Sequence, residues 1–183
     1  MSTFVLGWLI ALWVLWIVPV FILRVRSKAV RRSRTDHFSL VGMLLQVAAY
    51  PIAAVAIDPA SFSSWRLTLS LLVGIVALLF MWSAIPALGK QWRLAAGVNE
   101  GHELVQSGPY GIVRHPIYTS MLALLLATAL LFTPWLRIGI AVVIFWIGTQ
   151  IRIRAEERIL AVHFGKTFED YRMRVPAMVP WLH

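Results

Sequence analysis

Two stretches of this 183-residue chain concentrate the side chains able to do chemistry. The first reads His102-Glu103-Leu104-Val105-Gln106-Ser107-Gly108-Pro109-Tyr110-Gly111-Ile112-Val113-Arg114-His115-Pro116-Ile117-Tyr118. Gly108-Pro109 is a turn signal, and Gly111 permits a second bend. His115 precedes a proline and is expected to be extended, while Pro116 suits the first turn of a helix. Arg114 and His115 therefore stand where a helix begins, and free backbone N–H groups there favour an anion such as a carboxylate or phosphate. Anchoring of the same two residues at lipid headgroups explains them equally well. The second stretch holds Arg152, Arg154, Glu156, Glu157 and Arg158. On a helix, Arg152 and Glu156 lie four apart and Arg154 and Glu157 three apart, so each pair can interact. Spacing alone favours a solvated, salt-bridged helix. Paired carboxylates could also bind a cationic ligand or orient an amine.

Other chemistries are excluded by residue type or spacing. The chain has no cysteine, which removes disulfides, thiolate metal sites and a cysteine nucleophile. His102, His115, Glu156 and Glu157 show no metal-ligand spacing such as H-x-x-x-H, and no metal is expected. His163 and His183 have no evident partner. No G-x-G-x-x-G, G-x-S-x-G or phosphate-loop lysine motif occurs. A nucleotide-bearing cofactor would have to be held by helices and their connections.

The elements that must position these residues are hydrophobic. The chain is 60% apolar and 14% charged, with nine tryptophans and a mean hydropathy of +0.77. These values exclude disorder and point to a membrane protein. Five uncharged runs read as spans, at about 4–23, 39–57, 67–88, 117–132 and 135–151. The basic residues follow the first run rather than precede it, against a signal peptide. Thr133-Pro134 reads as a tight turn joining the last two spans into a helical hairpin. The fold expected is all-α, a single membrane domain over residues 1–183 with about five spans and a C-terminal cytoplasmic helix.

Charge orients it. Fifteen of the 17 basic residues fall in 24–38, 89–116 and 152–174, leaving only Arg66 and Arg137 in the other connections. The basic side should be cytoplasmic, with the N-terminus outside and the C-terminus inside. The brevity of the chain fits a bacterial inner membrane. The net charge of +9 is what this topology requires and suits anionic headgroups. Nucleic acid is not an expected partner, because the polar segments lack aromatic–basic interleaving.

The two stretches together resemble a known signature. Leu88-Gly89-Lys90-Gln91-Trp92 precedes His102-x-Leu104-Val105-x-x-Gly108-Pro109-Tyr110-x-x-Val113-Arg114-His115-Pro116-x-Tyr118. Then comes Glu156-Glu157-x-x-Leu160-x-x-x-Phe164-Gly165-x-x-Phe168-x-x-Tyr171, followed by Val175-Pro176 and Pro180. Residues 88–181 so resemble the integral membrane methyltransferases, namely the isoprenylcysteine carboxyl methyltransferases and related phospholipid N-methyltransferases. The first three helices match only in being hydrophobic. The resemblance implies S-adenosylmethionine (SAM) as methyl donor and a lipophilic acceptor entering laterally from the bilayer, most readily an isoprenylcysteine-type carboxylate. It implies a cofactor pocket lined by His102, Leu104, Val105, Gly108, Tyr110, His115, Pro116 and Tyr118. Glu156 and Glu157 match the family's paired glutamates, with Glu157 nearest the reacting centre. Chemistry adds Arg114, His102 or the helix start at Pro116 for the SAM carboxylate. It adds Arg154 or His163 to position an acceptor carboxylate, and Glu157 as base for an amine. His163 stands where relatives often carry arginine, which would make that contact pH-dependent. An NADPH-dependent membrane reductase and a non-enzymatic membrane protein are the competing readings.

Overall fold

The computed structural model describes residues 3–26, 37–54, 63–89 and 103–180. Its elements are α1 (Thr3–Arg26), α2 (His37–Ala54), α3 (Ser64–Leu88), a 3₁₀ turn (Gly108–Gly111), α4 (Pro116–Phe132), α5 (Trp135–Phe164) and α6 (Lys166–Arg174). No strand occurs among the described residues, and the fold is all-α. By length and composition α1, α3 and α5 can each cross a membrane, and α2 and α4 are shorter apolar helices. Bulky apolar side chains on α1, α3 and the start of α5, among them Phe4, Leu79 and Leu136, point outward. Such surfaces suit lipid and would be a liability in water.

The helices alternate in direction between two ends. At one end the α4–α5 turn gathers the others. Thr133 donates its hydroxyl to the Ala53 carbonyl on α2 and accepts from Arg66 of α3 through its own carbonyl. Val5 of α1 packs on Leu131 and Phe132. The opposite end carries the start of α4, the end of α5 and α6. The turn at Thr133-Pro134 forms as expected, yet its two arms pack mainly on other partners, α4 on α3 and α5 on α2.

The backbones of α2 and α5 approach closely. A Cβ on Gly42 would lie 2.6 Å from the Gly148 carbonyl oxygen, and one on Gly148 would lie 2.6 Å from that of Gly42. Small residues at a lipid-embedded crossing let helices pack without a hydrophobic driving force. α1 is fixed differently. The indoles of Trp8, Trp13 and Trp16 donate to Ser70, Thr128 and Ser120, whose hydroxyls pass their own protons to the Ala127, Leu124 and Ala77 carbonyls. Each of these partly buried indole N–H groups is thereby satisfied within the protein.

Two boundaries differ from the sequence reading. The last span and the helix bearing Glu156 and Glu157 are one α5 of 30 residues, about 45 Å long. Charge begins at Arg152, but charge does not end a helix. Gly165 ends it, at φ 52°, a conformation that disfavours any residue with a Cβ. Arg66, which falls in a connection by hydropathy, lies inside α3, buried against the α4–α5 turn with its guanidinium 4.7 Å from the centre of the Trp135 ring.

Candidate active site

The site grows from the start of α4. Ser107 is extended, and Gly108 adopts φ 60° to enter the 3₁₀ turn that buries Pro109 and Tyr110. The chain leaves that turn through Ile112 in the right-handed helical region and reaches His115 at φ −124° and ψ 63°, which is non-helical but not the extended conformation expected, and Pro116 opens α4. His115 is buried and faces α5. Its Nδ1 lies 3.5 Å from Glu156 Oε2 and its Nε2 lies 3.2 Å from Glu157 Oε1. A neutral imidazole has one donor nitrogen, so two carboxylate partners call for the doubly protonated ring.

The two glutamates are used differently. Glu156 accepts from the Tyr118 hydroxyl and lies 3.7 Å from Arg152 Nη2 through the same oxygen, while its other oxygen faces His115. Both of its oxygens are engaged. Glu157 Oε1 gathers Arg114 Nε, Arg114 Nη2 and His115 Nε2, at 2.9, 2.9 and 3.2 Å. Its Oε2 has no protein partner among the described residues. Tyr118 lies beneath two cationic groups, the His115 ring stacked at 5.6 Å and the Arg152 guanidinium at 5.1 Å.

A strap of chain after α6 closes one side. The Pro176 and Ala177 carbonyls accept from the Arg114 and His115 amides at 2.8 and 2.9 Å. Thr119 Oγ1 donates to the Met178 carbonyl at 2.7 Å. Arg114 Nη1 donates to the Arg172 and Val175 carbonyls. All three guanidinium nitrogens of Arg114 thus have protein partners, and the helix start expected to attract an anion is lined by this strap.

The remaining predicted residues fall as follows. Leu104 packs on Phe168, Tyr171 and Val175. Val105 is half-buried beside it in sequence. The Tyr110 carbonyl accepts from Tyr171 at 2.6 Å. Pro116 is buried. Arg154 and His163 lie on the exposed side of α5, and neither contacts the cluster. The Arg152–Glu156 pair forms, but Glu157 pairs with Arg114 instead of Arg154. His102 lies outside the described residues. Helical spacing alone gives Arg152 only a pairing role, and it points neither to the 176–178 strap nor to Gln46 of α2. For Arg152 and Gln46 a signal existed, a polar side chain bordering or interrupting an apolar helix.

His115 sets a pH dependence. Burial lowers its pKa, but the hydrogen bonds it donates to Glu156 and Glu157 and the charges on those carboxylates outweigh that and hold it above the ordinary value of 6.5. A raised folded value means that the stabilisation is complete below about pH 6.5 and is lost as pH rises through the folded value. Thermal unfolding in detergent should therefore show stability declining on the alkaline side. His115→Gln should flatten this slope, and equal slopes in both proteins would clear His115 as the cause.

Fold and site together define a multi-pass helical membrane protein with a buried His–carboxylate–arginine cluster at one end of its bundle. The profile of the isoprenylcysteine carboxyl methyltransferase (ICMT) family matches residues 67–162, just over half the chain. Protein-S-isoprenylcysteine O-methyltransferase B of Arabidopsis thaliana is 32% identical over 153 residues, covering 81% of this chain and 76% of the relative. Protein-S-isoprenylcysteine O-methyltransferase of Schizosaccharomyces pombe is 33% identical over 87 residues, covering 48% of this chain and 37% of the relative. Methanethiol S-methyltransferase 2 of Bradyrhizobium diazoefficiens is 37% identical over 73 residues, covering 40% and 27%. The chain belongs to the isoprenylcysteine carboxyl methyltransferase family of membrane methyltransferases.

Proposed function

We propose that the protein transfers a methyl group from SAM to a lipophilic carboxylate of the isoprenylcysteine type held in the bilayer. The observation that carries this reading is Glu157, whose Oε1 is fixed by Arg114 and His115 while Oε2 lacks a protein partner among the described residues. A carboxylate oxygen held so can accept a hydrogen bond from the ammonium of SAM or face its sulfonium as a counter-charge. The residues present therefore fit the cationic part of the cofactor. Arg114 is committed to protein partners and serves this reading by orienting Glu157. Leu104, Val105, Gly108, Tyr110, Pro116 and Tyr118 would form the remaining wall, with His102 beside them in sequence.

When bound, SAM supplies a methyl group on a sulfonium, so that an acceptor oxygen bonds to carbon as the carbon–sulfur bond breaks, and no proton need be removed. The task left to the protein is to hold donor and acceptor in line and exclude water. With His115 protonated, the cluster holds three cationic groups, Arg114, His115 and Arg152, against two carboxylates. That balance favours an anionic acceptor over an amine. A thiol acceptor is the second reading, supported by the methanethiol S-methyltransferase relative.

Calorimetric titration with S-adenosylhomocysteine (SAH), with NADPH in parallel, tests the cofactor. Saturable SAH binding without NADPH binding is expected, and the reverse would move the protein to the reductases. Ester formation on N-acetyl-S-prenylcysteine, compared with methylation of a hydrophobic thiol and of a phospholipid amine, then tests the acceptor.

A further inference from the structure

The polar cluster does not stop at the end of α5. Gln46, in the middle of apolar α2, is fully buried, as is Thr149 of α5. Gln46 Nε2 donates to Thr149 Oγ1 at 2.8 Å, and Arg152 Nη1 donates to Gln46 Oε1 at 3.3 Å. The amide orientation follows from hydrogen counting. The single hydroxyl proton of Thr149 goes to the Phe145 carbonyl at 2.8 Å, so its oxygen can only accept from Gln46. The amide nitrogen must face Thr149, and the amide oxygen must face Arg152. The Gly42–Gly148 crossing makes this possible, because a Cβ on Gly42 would also lie 2.7 Å from Arg152 Cγ. Burying an amide in an apolar helix pair is costly unless it is used.

We propose that Gln46 is a positioning residue of the methyl-transfer site, holding the Arg152 guanidinium against Glu156 and Tyr118 from within the membrane-embedded helices. This inference rests on the methyltransferase reading. Arg152 lies 3.7 Å from Glu156 and 5.1 Å from the Tyr118 ring centre, and Glu156 in turn orients His115. Gln46 thus acts at third hand on the imidazole that fixes Glu157. Losing it should misplace the cluster without removing any group expected to touch the reactants.

The test is steady-state methylation of N-acetyl-S-prenylcysteine by the full chain in detergent. Gln46→Leu should lower kcat about tenfold to a hundredfold. The acceptor KM and the SAH affinity should stay within about twofold, since the direct contacts remain. Gln46→Glu keeps an oxygen facing Arg152, and the Thr149 hydroxyl can turn to donate to the second oxygen, so most of kcat should return. If Gln46→Leu does not yield folded protein, Thr149→Val asks the same question by releasing the amide, and Thr149→Ser should restore kcat. Unchanged kcat in the Leu or Val variant, equal loss in Gln46→Leu and Gln46→Glu, or a change confined to KM would overturn the inference. Absence of any methylation by the unmutated protein would overturn the methyltransferase reading itself, and the inference with it.

Discussion

Glu157→Gln is expected to lower methyl transfer by about a hundredfold to a thousandfold, the scale seen when one preorganised electrostatic contact is removed from an active site. The substitution keeps shape and changes charge. A glutamine carbonyl can take the place of Oε1 and still accept from Arg114 and His115. Its NH₂ then occupies the position of Oε2 and presents donors where a carboxylate would receive a cation. Comparison of SAM with SAH separates the two cationic groups, because SAH lacks the sulfonium charge and keeps the ammonium. A larger loss of affinity for SAM than for SAH places Glu157 at the sulfonium, and an equal loss places it at the ammonium. Turnover within about threefold of the unmutated protein would remove Glu157 from the reaction.

Arg114→Leu is expected to cost the most stability, about 3–5 kcal/mol, because it leaves the Glu157 carboxylate in a poorly solvated place with His115 as its one remaining charged partner among the described residues. The two side chains are only 10% and 13% exposed, so solvent screening does little to soften the loss. The Arg172 and Val175 carbonyls lose their donor in the same step. For a chain of this size the midpoint of thermal unfolding should fall by about 6–20 °C. The double change Arg114→Leu with Glu157→Leu removes the stranded charge and should recover most of that loss while remaining inactive. A single variant that melts within about 2 °C of the unmutated protein would show that the pair contributes little.

Local features of the site were legible in the sequence because they follow from a few neighbouring residues. The Gly108-Pro109 turn, a non-helical His115 and Pro116 at the first turn of α4 are set by φ preferences, although His115 is not extended as its place before a proline suggests. The Arg152–Glu156 pair follows from helical spacing. What escaped was non-local. Arg114 and Glu157 are 43 positions apart, and no periodicity relates them, so the three-residue spacing to Arg154 competed and misled. Arg154 and His163 carry suitable chemistry for a carboxylate, yet the turn of α5 directs them outward. The carbonyls of 176–178 are backbone groups and leave no trace in side-chain type. Hydropathy likewise ended the last span at Ile151, although the helix continues to Gly165.

The strap over the start of α4 also orders events in time. Thr119 and Met178 are 59 positions apart, so synthesis at 5–20 residues per second separates their appearance by about 3–12 s. The apolar helices up to α4 can enter the bilayer during that interval with the Arg114 and His115 amides still lacking their protein acceptors. Only when residues 176–178 emerge can the cluster assume its finished geometry. Insertion and competence are thus separate milestones, and a nascent chain halted before the strap would occupy membrane without consuming methyl donor.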